Sequence, residues 1–141
     1  MKKHLTTALI YAAAGAAAGV FYREFTKAMG FTGVTALGKV HGHLLLLGMV
    51  MYLLVAIMGQ LLPQQGQKTF RIAQPIYHAG LILAGMMMLV RGVLQVLATP
   101  LSAGLDAAVS GLSGLGHIGV GVGLILMLVA WIKAAPKGEK A

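Results

Sequence analysis

The five histidines are the residues of this 141-residue chain whose type and spacing indicate chemistry. A shift of 74 residues (117 minus 43) superposes Gly42-His43 on Gly116-His117, and the same shift superposes His4 on His78. Two histidine matches at one offset favour a duplicated two-helix unit in parallel orientation, an arrangement found in some membrane folds. We therefore expect His43 and His117 to occupy equivalent positions in the two halves of the chain.

Two imidazoles that face each other across a helical core are suited to ligating a haem iron on both sides. We predict that His43 and His117 are these metal ligands and that the cofactor is haem b. The neighbouring glycines, Gly42 and Gly116, would leave room for a flat macrocycle close to the backbone. The expected role is electron transfer, haem sensing or haem handling.

Three further residues are candidates for the cofactor site. Arg91 is expected to pair with a haem propionate, or else to extend its side chain towards the lipid headgroups. His41 lies two residues from His43 and so points to the other side of the helix, near the headgroups or the propionates. His78 would bind a second haem together with His4, although local hydrogen bonding is the favoured interpretation for these two.

Two other functions stay open at this point. Thioether and imidazole groups suit Cu(I), so a copper-binding or copper-transporting protein is the first alternative; seven methionines lie in the apolar runs, Met49, Met51, Met58, Met86, Met87, Met88 and Met127. The second is a scaffold subunit without a cofactor. Hydrolytic chemistry is not expected, because the three acids, Glu24, Asp106 and Glu139, are all predicted to lie outside helices and form no carboxylate pair.

The elements that position these residues follow from composition. Hydrophobic residues make up 58% of the chain and charged residues only 10%, which excludes an ordinary soluble enzyme. No apolar run alternates with a period of two, so strands are excluded and helices long enough to span a membrane are predicted. The fold class is an all-α transmembrane four-helix bundle, a single membrane domain over residues 1–141, with spans at about 5–22, 37–62, 72–97 and 112–132.

The connections and the orientation follow from the remaining residues. Segment 23–36 is predicted to be a short amphipathic surface helix and segment 99–111 a loop. A rise of about 1.5 Å per residue then puts His43, His117 and Arg91 at one level. Lys and Arg are more frequent at both termini and in the 63–71 loop, which places these in the cytoplasm. The basic start also resembles a signal peptide, but we expect it to remain as the first helix.

The expected partners also follow from the charge distribution. The net charge of +8 belongs to basic residues that flank apolar runs, which is not the clustered pattern of a nucleic-acid-binding face. Membrane lipid is therefore the expected environment, in the bacterial inner membrane, with a multi-pass topology. A homodimer or a larger respiratory-type membrane complex is the expected assembly.

The stretch Lys39-Val40-His41-Gly42-His43-Leu44-Leu45-Leu46-Leu47-Gly48, with the four apolar runs, resembles an uncharacterised bacterial family of small four-helix membrane proteins. Its His-Gly-His-Leu segment is locally similar to subunit I of haem-copper oxidases, where such a histidine ligates a b-type haem. That resemblance implies a haem ligand at His43 or His41. It does not imply oxygen reduction, because this chain has far fewer spans and no evident three-histidine copper site.

Overall fold

The computed structural model describes residues 1–62 and 68–136, and within these ranges the chain is helical with no strand. The helices are α1 (Lys2–Ala28), α2 (Leu37–His43), a π-helix (Leu44–Val50), α3 (Met51–Leu61), α4 (Lys68–Val96) and α5 (Ala103–Ala134). Helix α2, the π-helix and α3 form one continuous second span, Leu37–Leu61. This span and the helices α1, α4 and α5 are each long and apolar enough to cross a membrane, as in a multi-pass membrane protein. The predicted all-helical fold with four long apolar helices is confirmed.

Two helix ends have clear local causes. After α1 ends at Ala28, Gly30 adopts a φ of +60°, a left-handed conformation that glycine accepts at little cost. At the start of α5 the hydroxyl oxygen of Ser102 accepts a hydrogen bond from Leu105 N at 3.3 Å. Asp106 follows in the first turn, where its negative charge is favourable beside the positive end of the helix dipole.

Helix α5 begins earlier than its sequence suggested. Segment 99–111 was predicted to be a loop, but it is helical from Ala103 onwards, because Ser102 caps the helix and alanines support it. Similarly, segment 23–36 is not a separate surface helix, since residues 23–28 continue α1. Glu24 and Asp106 therefore lie within helices, contrary to the prediction for the acidic residues.

The helices pack in chain order, with α1 against the second span, the second span against α4, and α4 against α5. The α4–α5 contact is the closest, and it depends on glycine. A Cβ atom added to Gly80 would lie 2.6 Å from Val120 N and 2.7 Å from the carbonyl carbon of Gly119. Gly123 meets the backbone of Tyr77 in the same way. Small residues of this kind let the backbones of membrane helices approach closely.

Two hydrogen bonds hold one end of the bundle together. We call the end near residues 1, 62, 68 and 136 the terminal end, and the end near residues 29–36 and 97–102 the distal end. At the distal end the buried Thr35 hydroxyl donates to Gly92 O at 2.9 Å, and Ala36 N donates to the Gln95 side-chain oxygen at 2.8 Å. These bonds attach the start of the second span to α4.

Candidate functional site

The imidazole rings of His43 and His117 lie next to each other. Their centroids are 5.9 Å apart and their planes are inclined by 84°. His43 is the last residue of α2, and His117 lies in the first half of α5. The two histidines at equivalent positions of the predicted repeat are therefore brought together, although they are far apart in sequence.

Both imidazoles have the same backbone hydrogen bond. Nδ1 of His43 lies 2.9 Å from Lys39 O, and Nδ1 of His117 lies 2.7 Å from Ser113 O. A carbonyl oxygen only accepts, so each Nδ1 bears the proton and donates it. The tautomer is thereby fixed, and Nε2 of each ring keeps the lone pair that a metal needs. Such a bond to the second ring nitrogen is the usual way in which a metal-ligating histidine is oriented.

The ring spacing is close to that of two axial ligands. With metal–nitrogen bonds of about 2 Å, two imidazoles on opposite sides of one iron have centroids roughly 6.3 Å apart. The 5.9 Å between His43 and His117 is a few tenths of an ångström shorter. The distance between the two ring centroids is therefore in the range that ligation of one iron requires.

The surroundings of the pair are open on one side. The second span and α5 have almost no backbone contact, because α5 packs against α4 and the second span packs mainly against α1. His43 is half-buried, His117 is exposed, and a Cβ atom at Gly42 would meet nothing within 4 Å. The other predicted glycine is placed differently: Gly116 faces α4, where a Cβ would lie 2.5 Å from Ala84 N. Gly116 is thus required for helix packing, and only Gly42 borders open space.

His41 lies on another face of the same helix. Its Cβ and Cγ are close to Gly19 of α1, and its Nδ1 atom is buried without a hydrogen-bond partner within the described ranges. It therefore points towards α1 and away from His117. Of the two histidines in the His-Gly-His segment, His43 is the one in contact with the second half of the chain.

Arg91 does not share the level of the histidine pair. Its guanidinium forms an ion pair with Asp106 at 3.0 Å and donates to the Ser110 hydroxyl at 2.6 Å. Ser110 precedes His117 by seven residues, which corresponds to about 10 Å along α5. The predicted common level was wrong for Arg91 because α5 begins nearer the distal end than expected. Arg91 lies two helical turns from the pair, on the distal side.

The chain directly after His43 is a π-helix, which the sequence did not reveal. Within Leu44–Val50 the backbone bonds span five residues. The Tyr77 hydroxyl donates to Leu47 O at 2.7 Å. Short π-helical segments occur often at functional sites. Here the segment sets the rotation of α3 relative to α2 and His43.

A second polar cluster surrounds His78 at the terminal end. Its Nδ1 atom is 3.1 Å from the Tyr11 hydroxyl and 2.9 Å from the Tyr52 hydroxyl. His4 is also buried, and its Nδ1 is 3.0 Å from the Gln74 amide nitrogen. Both histidines are hydrogen-bonded to side chains of neighbouring helices, which was the favoured interpretation for them.

The tyrosines and Gln74 of this cluster were missed in the sequence. The tyrosines could have been identified by residue type, because a tyrosine in an apolar span has a hydroxyl that needs a hydrogen-bond partner when it is buried. Tyr11 and Tyr52 retain only 6% and 3% of their exposed surface. Within residues 1–62 and 68–136, no group of three or more His, Cys, Asp or Glu side chains is placed to hold a metal ion. The His43–His117 pair therefore consists of two imidazoles with no third side chain of these types beside them in the described part of the chain.

Comparison with the curated proteins and with the solved structures finds no match. Comparison with protein families finds a match over residues 1–134, to a family described as a protein of unknown function, DUF2871. This match covers nearly the whole chain, all four long helices included. The resemblance to an uncharacterised family of small four-helix proteins is confirmed, and the chain belongs to the DUF2871 family.

Proposed function

We propose that this protein binds one haem b between His43 and His117 and transfers electrons within the membrane. The observation that supports the proposal best is the spacing and tautomer of His43 and His117. Their ring centroids are 5.9 Å apart, and in each ring Nδ1 bears the proton while Nε2 keeps its lone pair. His43 and His117 would hold the iron, and a haem held by two imidazoles would be suited to electron transfer, with haem sensing or haem handling as related roles.

Two basic residues on the distal side of the histidine pair would hold the haem propionates. Arg91 lies about 10 Å from the pair in that direction, and Lys39 one turn from His43 on the same side. The Asp106 carboxylate engages one nitrogen of the guanidinium, and a propionate would take other N–H groups of the fork.

The proposed location is the bacterial inner membrane, with both termini in the cytoplasm. Within the described ranges, the terminal end has the basic residues Lys2, Lys3, Lys68, Arg71 and Lys133. Basic residues are more frequent on the cytoplasmic side of membrane proteins. The exposed edge of the site at His117 is where a second copy of the chain, or a larger respiratory-type complex, would cover the haem.

The test is a visible spectrum of the full chain, expressed in haem-replete cells and purified in mild detergent. We expect a strong Soret band and about one haem per chain, lost in both His43→Ala and His117→Ala. His41→Ala is the matched control, since it removes an imidazole two residues away that faces α1. Loss of the band in this control but not in His117→Ala would refute the proposed ligation.

Metal analysis of the same samples separates the alternatives. Stoichiometric iron that disappears with His43 or His117 supports the haem proposal. Stoichiometric copper without iron would replace it with the copper-binding function, for which imidazole is also a suitable ligand. A colourless, metal-free protein that folds normally and associates with other membrane proteins after both substitutions would indicate a scaffold subunit.

A further inference from the structure

A groove runs along the surface between α1 and α4, with the second span as its floor. Its polar part, about 410 Å³ at the terminal end, is bordered by Lys3, Thr7, Tyr52, Arg71, Gln74 and His78. Its apolar part, about 280 Å³ nearer the bundle centre, includes Ala14, Ala18, Leu44, Ile82, Gly85 and Leu89. Both parts lie between α1 and α4 and include residues of the second span.

The two parts are continuous. On α1 the lining residues Lys3, Thr7, Tyr11, Ala14 and Ala18 follow one another at intervals of three or four, so they share one helix face. Tyr11 lines the apolar part, and its hydroxyl is 3.1 Å from Nδ1 of His78, which lines the polar part. The groove therefore changes from cationic and polar to apolar along one line.

The charge of the polar part is not balanced by the protein within the described ranges. Lys3 on α1 and Arg71 on α4 border the same cleft. The two carboxylates in residues 1–62 and 68–136 lie towards the distal end, where Glu24 pairs with Arg23 and Asp106 pairs with Arg91. The Thr7 hydroxyl in the cleft donates to Lys3 O, and the Gln74 amide nitrogen is hydrogen-bonded to His4 Nδ1. The two cations that border the cleft are suited to binding a phosphate group.

The groove is at least as long as one leaflet of a membrane. From Lys3 to Ala18, α1 rises by about 22 Å, and from Arg71 to Leu89, α4 rises by about 27 Å. Half of a bilayer with its headgroups is about 20–22 Å thick. We infer that this groove binds a single anionic phospholipid of the leaflet at the terminal end, its phosphate at Lys3 and Arg71 and an acyl chain along Ala14 and Ala18. This inference does not depend on the haem proposal, because it uses a different face of the bundle.

The test uses the full chain in mild detergent, offered equal amounts of phosphatidylglycerol and phosphatidylcholine with identical acyl chains, and measures retained lipid by native mass spectrometry. We expect preferential retention of one phosphatidylglycerol. Lys3→Gln with Arg71→Gln should lower that retention about 30-fold, because each basic contact contributes about a factor of five. The matched control, Lys2→Gln with Lys133→Gln, removes two exposed charges from the same end and should change retention by less than about threefold.

A second pair of variants tests the apolar part. Ala14→Trp fills the groove and should abolish retention, whereas Ala17→Trp, at an exposed position outside the lining, should not. Equal losses in the charge variant and its control, or in the two tryptophan variants, would overturn the inference. Inorganic phosphate is the remaining probe. Phosphate could raise the melting temperature of the unmodified chain but not of the Lys3→Gln, Arg71→Gln variant. If Ala14→Trp also leaves lipid retention unchanged, the ligand of the cleft is a free oxyanion and not a lipid.

Discussion

His43 and His117 are adjacent in space, and each imidazole is held by the carbonyl oxygen four residues before it, Lys39 O and Ser113 O. The rings are therefore oriented by their own helices and do not depend on a third side chain. Since both helices provide the same local bond, the geometry of the pair is determined by how the second span and α5 are spaced on α4.

The first prediction concerns the axial ligand. His117→Met should keep the haem, because a thioether at this position also ligates iron, but the midpoint potential should rise. An increase on the order of 0.1 V is expected, well within the range of about 0.8 V that axial ligands produce. The measurement is a redox titration of the haem absorbance. His41→Met should leave the potential unchanged, and an equal rise in both variants would contradict the assignment of His117.

The second prediction concerns the glycine contact between α4 and α5. Gly80→Ala should lower the free energy of unfolding by about 1–3 kcal/mol, because the added Cβ meets backbone atoms that cannot rotate away. Gly121→Ala is the control: a Cβ there meets nothing within 4 Å, and alanine favours the helix by about 0.5–1 kcal/mol. Denaturation in mixed micelles measures both. Destabilisation of similar size at both positions would show that the close contact at Gly80 is not the cause.

The third prediction concerns the π-helix. Tyr77→Phe removes the hydroxyl that donates to Leu47 O, leaving a buried carbonyl without this donor, and should cost about 1–3 kcal/mol of stability. Tyr22→Phe is the matched control, because the Tyr22 ring packs on Gly38 and its hydroxyl has no hydrogen bond within the described part of the chain. The same unfolding measurement applies. An unchanged stability in Tyr77→Phe would show that the π-helical carbonyl needs no donor.

The fourth prediction concerns the His78 cluster. His78→Leu removes the common partner of two buried hydroxyls and should cost about 1–3 kcal/mol for each hydroxyl left unpaired. Tyr11→Phe removes a single bond while Tyr52 remains bonded to His78, so about 0.5–1.5 kcal/mol is expected. Unfolding of the two variants and their combination gives the coupling energy. Additive losses would mean that Tyr11 and His78 stabilise the bundle independently.

The four helices and the candidate ligands could be predicted from the sequence alone. Long apolar runs without alternation form helices for a local reason, since every backbone group in lipid must be hydrogen-bonded within its own segment. Histidines are rare in such runs, so Gly42-His43 and Gly116-His117 were identifiable as candidates by type and offset. The duplication that this offset indicates stays a prediction.

Which residues meet was decided by the tertiary structure. The sequence does not specify how each helix is rotated about its axis, because almost all of its faces are apolar and every one of them is compatible with lipid. The rotation is determined by backbone contacts such as Gly80 with Gly119, and by the π-helix after His43. For that reason the sequence did not show that Arg91 pairs with Asp106, or that Tyr11 and Tyr52 share His78.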